Sequence, residues 1–303
     1  KPYNIKLAKK AELIENAGAA KKWCLISDNC QGNWEYEGAG LANMAAYDVY
    51  ESIAQDGSYP MAHEFVNLYI NGDYRGVYML TEKVEIGEER INVAEPKYTN
   101  EDETGKTLIK KTGDVYPHPQ YWSYVNTADA TVDDSDAAIK AGIQAYQYAT
   151  DSALDGETGG FLLELDRGFY GEASYFITKR GIPYVLKEPE FATKEQVQKI
   201  AIYMQEFEDA LYSESRYNSQ GKYYTEYLNN DTMVSKLLID MMSNQCDNFI
   251  TSCFFSVDTT ADGNLDVINA GPAWDYDGSN YNSPDWISAL NNSTTVDANG
   301  ISN

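Results

Sequence analysis

Residues 63–87 read HEFVNLYINGDYRGVYMLTEKVEIG, and the Asn71-Gly72 step inside this run constrains the fold more than any other feature of the chain. Both flanks, 65–70 and 75–84, are rich in β-branched and aromatic residues. An Asn-Gly step between such runs suits the left-handed backbone of a two-residue hairpin turn. The stretch therefore predicts an antiparallel hairpin.

Elsewhere the apolar periodicity is mostly helical. Residues 41–54 read as an amphipathic helix, and 134–153 start on cap-type residues and predict another. Thr193 caps a long helix over 193–213, and 231–247 make one more. Strand-like pieces fall at 159–166 (GGFLLELD), 173–180 and 182–190 (IPYVLKEPE), with Gly181 as a turn. They predict a second small antiparallel sheet or an extension of the first. Residues 252–258 and 264–270, joined by TTADG, read as a second hairpin. The polar stretch 92–135, with Pro96, Pro117 and Pro119, reads as irregular apart from a short element near 107–110. Without an internal repeat or linker, this order predicts a single α+β domain over 1–303.

The charge balance removes several classes of function. With 23 basic residues against 47 acidic ones, a formal −24, the chain lacks the basic footprint of a nucleic-acid or anionic-membrane binder. No apolar run approaches 18 residues, so no membrane span is expected. Four cysteines without CxxC spacing and two histidines argue against a zinc site or a histidine triad. A Cys24–Cys30 disulfide and buried free thiols both stay open. The 25 tyrosines and the few basic residues give the profile of a secreted bacterial protein. The opening KPYNIKLAKK has neither Met nor an apolar leader core, and the expectation is a piece of a longer secreted protein. Residues 258–269 resemble a calcium loop, but Thr260 and Asn269 occupy ligand positions poorly and a hairpin turn accounts for them better.

Acidic residues supply the candidate chemistry. Asp247 at a helix C-terminus faces carbonyls that are already negative, so a metal, a catalytic role or a solvated cap position must explain it. In PAWDYDGS (272–279), Asp275 and Asp277 on an extended backbone would point the same way and could hold a hard cation; a surface turn is the alternative. A helix end, a hairpin and then a second acidic site is the layout by which kinases set two aspartates on one phosphate. The cation for those phosphates is Lys187 or Lys83, with Lys187 ahead. Glu82 and Lys83 are adjacent in a strand, so only one faces inward and the other is a solvated charge. Glu164, between Leu163 and Leu165, is the candidate partner for that lysine or for Mg²⁺.

Taken together, FVNLYINGDYRGVYMLTEKVEIG, GGFLLELD…YFITKRGIPYVLKEPE, DNFITSCFFSVD and PAWDYDGS resemble the spore-coat protein H (CotH) kinase-like family. The resemblance implies an atypical protein-kinase-like fold. Its N-terminal, β-hairpin-rich lobe would span about 1–190 and its helical C-terminal lobe about 191–303. It also implies transfer of the ATP γ-phosphoryl group, with Mg²⁺ or Mn²⁺, to Ser or Thr of a secreted or surface protein, the chain itself included. By position, Asp247 matches the family's catalytic Asp, Asp275 its metal-binding Asp, and Asp277 a second ligand. Ser252 stands where the family commonly has Asn, and it is a weaker magnesium ligand. A glycine-rich phosphate loop is absent. The pieces at 159–166 and 187–190 look most like secreted, dockerin-bearing, cellulosome-associated members. Two rivals remain: a degenerate kinase fold serving as a binding or scaffolding module, and an Asp-x-Asp nucleotide-sugar transferase.

Overall fold

The computed structural model describes residues 2–27, 42–97, 135–149, 152–243, 245 and 250–276. The Asn-Gly hairpin forms from β3 (His63–Ile70) and β4 (Asp73–Glu82). Asn71 at φ 53° and Gly72 at φ 87° are both left-handed, as the tight turn requires. The register slips between Leu68 and Tyr69, opposite Gly76 at φ 112°, where one extra residue is bulged out. Two unanticipated strands precede the hairpin, β1 (Tyr3–Ala11) and β2 (Ala20–Ile26). Tyr3, Ile5 and Leu7 alternate with exposed neighbours there, a period-two signal that was present in the sequence. The four strands make an antiparallel sheet in the order β1-β2-β4-β3.

One face of this sheet packs Trp23, Leu25, Tyr78 and Leu80 over Ile14 and Ala17. The other sets Met79 against Tyr47 and Tyr50 of α1 (Ala42–Ile53). With both faces covered, β4 is buried without alternation from Tyr78 to Glu82.

The second sheet holds β5 (Ala145–Gln147), β6 (Phe161–Leu165), β7 (Tyr175–Ile177), β8 (Pro183–Glu188), β9 (Cys253–Thr259) and β10 (Leu265–Ala270). Its order is β10-β9-β6-β8-β7-β5, and every neighbouring pair is antiparallel. Strands from both sides of residue 190 share this sheet, so the expected division there into a β lobe and a helical lobe runs through a single layer. The helix expected over 134–153 is corrected. It shrinks to α2 (Ala137–Ala141), capped by Asp136 and stopped by Gly142 at φ 104°. Residues 145–147 then join the sheet as β5.

Helix α3 (Lys194–Tyr212) begins at the Thr193–Gln196 capping box. It lays Val197, Ile200, Ala201 and Met204 on Phe161, Leu163 and Phe176. Helix α4 (Asn230–Ser243) stops before the expected end at 247, and Asp247 lies outside the described residues. Cys24 and Cys253 are buried free thiols, pushed up to about 11 chiefly by burial, so Cys24 is not in a disulfide. No helix among the described residues is long and apolar enough to cross a membrane.

Glu82 closes β4 inside the protein. Its Oε1 lies 2.6 Å from Arg90 Nη1, and its Oε2 accepts from the Tyr59 hydroxyl at 2.9 Å and from Ala62 N–H at 3.1 Å. Arg90 stacks 4.8 Å over Trp23 and donates to the Ala17 carbonyl at 2.7 Å. The chain beyond β4 lays Ile86, Ile91 and Val93 on Leu162 and Phe254 of the second sheet, which ties the two sheets together. That contact needs Gly160. A Cβ there would meet Val93 Cγ1 at 2.2 Å and the Val257 carbonyl oxygen at 2.5 Å. Gly160→Ala is expected to cost about 2–3 kcal/mol in urea unfolding; an unchanged midpoint would show that this junction yields freely.

Candidate functional site

Two adjoining cavities, of about 340 and 410 Å³, open between the end of the first sheet and the second. They share Lys83, Lys187, Glu188 and Glu190 as walls. The larger also takes Glu164, Phe254 and Trp274. Each charged wall has a different local cause.

Lys187 belongs to β8, and its neighbour in space is Glu164 of β6, the adjacent strand. Lys187 Nζ sits 3.1 Å from Glu164 Oε2 and 3.2 Å from Glu172 Oε1. Burial acts to lower the Lys187 pKa, but the two carboxylates outweigh it and raise the group, so the ammonium stays charged. Burial raises Glu164, partly offset by Lys187. The pairing of Lys187 with Glu164 expected from the sequence is therefore present, and Glu172 joins it from a loop that carries no periodic signal.

Lys83 follows the last residue of β4 instead of lying within the strand. It lines both cavities and has no ion-pair partner within 4.0 Å among the described residues. Glu82, the last residue of the strand, points away from the cavity into the core. It is not a solvated charge, however, but the buried partner of Arg90, only 2% exposed. Burial raises its pKa against the opposing pull of Arg90.

Past β10 the chain reaches Trp274 and Asp275 without forming a strand. Asp275 has φ 62°, a left-handed conformation, so the extended-backbone geometry expected for Asp275 and Asp277 is corrected at Asp275. Asp277 itself lies outside the described residues. The Asp275 carboxylate accepts from Ser252 Oγ at 3.2 Å, which brings together two of the expected metal-binding residues. Its carbonyl accepts from Gln245 Nε2 at 2.5 Å. Tyr276 is fully buried and donates its hydroxyl to Asp240 at 2.6 Å; burial and that carboxylate push the phenol far above its usual range, so it remains a donor. No three His, Cys, Asp or Glu side chains gather as a metal site among the described residues. An Asp with a hydroxyl is still the kind of oxygen pair that Mg²⁺ accepts when phosphates complete its shell. The discounted calcium loop is a hairpin turn, with Thr260 N–H donating to the Asn264 carbonyl at 2.9 Å.

Glu188 was not singled out by its sequence, because only tertiary burial makes it unusual. Its Oε2 accepts from Ile86 N–H at 3.0 Å. Burial nonetheless pushes its pKa up from 4.5 to about 7, against the lowering effects of that bond and Lys22. Between these pH values the folded protein holds a proton that the unfolded chain has released, so stability falls as pH rises across the window. Glu188→Gln should remove about 1–3 kcal/mol of the stability change across that window, read by urea unfolding at several pH values. Equal slopes in both proteins would mean that Glu188 is well solvated.

No curated protein and no solved structure matches the chain. A family model does, described as CotH kinase protein and covering residues 1–296. With nearly its whole length matched, after the paired lysine, the acid beside Ser252 and the cavity between the sheets, the chain belongs to the CotH kinase protein family.

Proposed function

We propose that the protein is an ATP-dependent protein kinase, secreted or surface-exposed, that phosphorylates Ser or Thr hydroxyls of other extracellular proteins and of itself. The observation that carries this reading is Lys187. It is a cation fixed on a strand by Glu164 and Glu172, facing a cavity of about 410 Å³, within the size range of small-molecule sites. Phosphoryl transfer asks a protein mainly for positioning and charge stabilisation. Lys187 and Lys83 supply the positive charge, and Glu164 keeps the Lys187 ammonium from drifting with its flexible stem. Trp274 and Phe254 offer apolar surface for a nucleobase. Asp275 and Ser252 present oxygen donors for Mg²⁺ or Mn²⁺, and Asp277 is the further ligand by family position. A divalent ion bound there neutralises charge between phosphates. Asp247, matched to the family's catalytic Asp, orients the acceptor hydroxyl.

A second reading, a binding module that has lost catalysis, draws on Ser252 standing where an amide is usual. Calorimetry separates the two, since that module would not bind ATP with Mn²⁺. For the kinase, labelled ATP should give metal-dependent phosphate incorporation that a chelator removes. Asp275→Ala and Asp247→Ala should each lower it about 100-fold or more. Lys187→Met should weaken kcat/KM for ATP by about 10- to 100-fold. Full activity in Asp275→Ala would remove the metal assignment.

A further inference from the structure

Asp275 is gripped by groups that phosphoryl transfer does not itself require. On α4, Lys236 and Asp240 are one turn apart on the same face, and Lys236 Nζ lies 2.7 Å from both Asp240 oxygens. Asp240 Oδ1 accepts the Tyr276 hydroxyl at 2.6 Å. Tyr276 N–H donates to Asn43 Oδ1 of α1 at 2.7 Å, and Gln245 Nε2 donates to the Asp275 carbonyl. Lys236, Asp240 and Tyr276 are 3%, 7% and 0% exposed.

Stability is a poor explanation for such a pair. Two charges taken out of water roughly break even against apolar residues of the same volume. A buried ion pair does give one thing that an apolar pair cannot, a fixed acceptor for the Tyr276 hydroxyl. Tyr276 is bonded to Asp275 through the chain, and Asp275 sits at φ 62°, a left-handed backbone that few residues with a Cβ adopt and that Asp tolerates better than most, here fixed by hydrogen bonds on both sides of its peptide. We infer that Lys236, Asp240 and Tyr276 are positioning residues that aim the Asp275 carboxylate at a divalent cation. The inference rests on the reading of Asp275 as a metal ligand. The aim of a loop carboxylate is thereby set by two helices, α1 through Asn43 and α4 through Asp240.

The test is Mn²⁺ binding by the full chain, read from the free-ion electron paramagnetic resonance signal, with and without ATP, well below the melting temperature. Wild type should bind and Asp275→Ala should not. Tyr276→Phe should weaken Mn²⁺ binding roughly tenfold, as should the double variant Lys236→Met with Asp240→Leu, in which melting is retained. Lys236→Met with Asp240→Asn keeps an acceptor for the tyrosine and should bind close to wild type. A purely structural role would move melting temperatures and leave these affinities alone. If Tyr276→Phe and the Met/Leu variant bind Mn²⁺ as wild type does while Asp275→Ala fails, the positioning role is overturned and the metal ligand stands. If wild type binds no Mn²⁺, or Asp275→Ala binds it equally well, both fall. Should the Met/Leu variant not fold, Tyr276→Phe, which leaves the ion pair intact, decides the matter.

Discussion

A guanidinium buried against Trp23 must meet a carboxylate, and Arg90 meets Glu82 at 2.6 Å. Leaving either charge alone in that interior would cost about 3–5 kcal/mol. The pair ends β4, turns the chain away from the first sheet and commits Ile86, Ile91 and Val93 to the second. The cavity exists because the segment is held there. Lys83, the first residue past the strand, lines the cavity while Glu82 is held in the core by Arg90.

How much of this was legible in the sequence depended on how local its cause was. The hairpin at Asn71-Gly72, the capped helix at Thr193 and the strands around Glu164 and Lys187 follow from turn chemistry and periodicity, and each lies close to where those rules put it. Helix 134–153 failed because apolar periodicity continued past Gly142, whose left-handed backbone ends the helix regardless. The alternation in β1 is obscured by the lysines at its far end, where the Lys9-Lys10 pair breaks the period. In the site, alternation brought Glu164 toward Lys187, but Glu172 and Glu188 are distinguished only by what folds over them. The spacing rule for Asp275 and Asp277 assumes an extended chain, and four side-chain bonds around Asp275 and Tyr276 override that assumption.

The cavity also reconciles two opposing charge scales. The chain as a whole carries a formal −24 and repels anions at a distance. Screening at physiological salt confines such repulsion to about 8 Å. Inside that range Lys22, Lys83 and Lys187 share the cavity walls with Glu85, Glu95, Glu188 and Glu190, so an incoming anion meets placed lysines and not a uniformly positive wall. Glu85 and Glu164 hold two of these lysines in place without removing their charge, since each is an ion-paired partner.

The order of the second sheet has a consequence for the chain's synthesis. Strand β6 lies at its centre, flanked by β8 and by β9. As the polypeptide leaves the ribosome, β8 follows soon after β6 and can pair at once. The opposite edge of β6, Phe161–Leu165, has no neighbour until Cys253–Thr259 has been made. Throughout that interval a run of apolar backbone stands open to any strand that arrives first, another nascent chain included. Closure of this sheet is thus set by the β9–β10 hairpin, and its exposure to mispairing by the time taken to reach it.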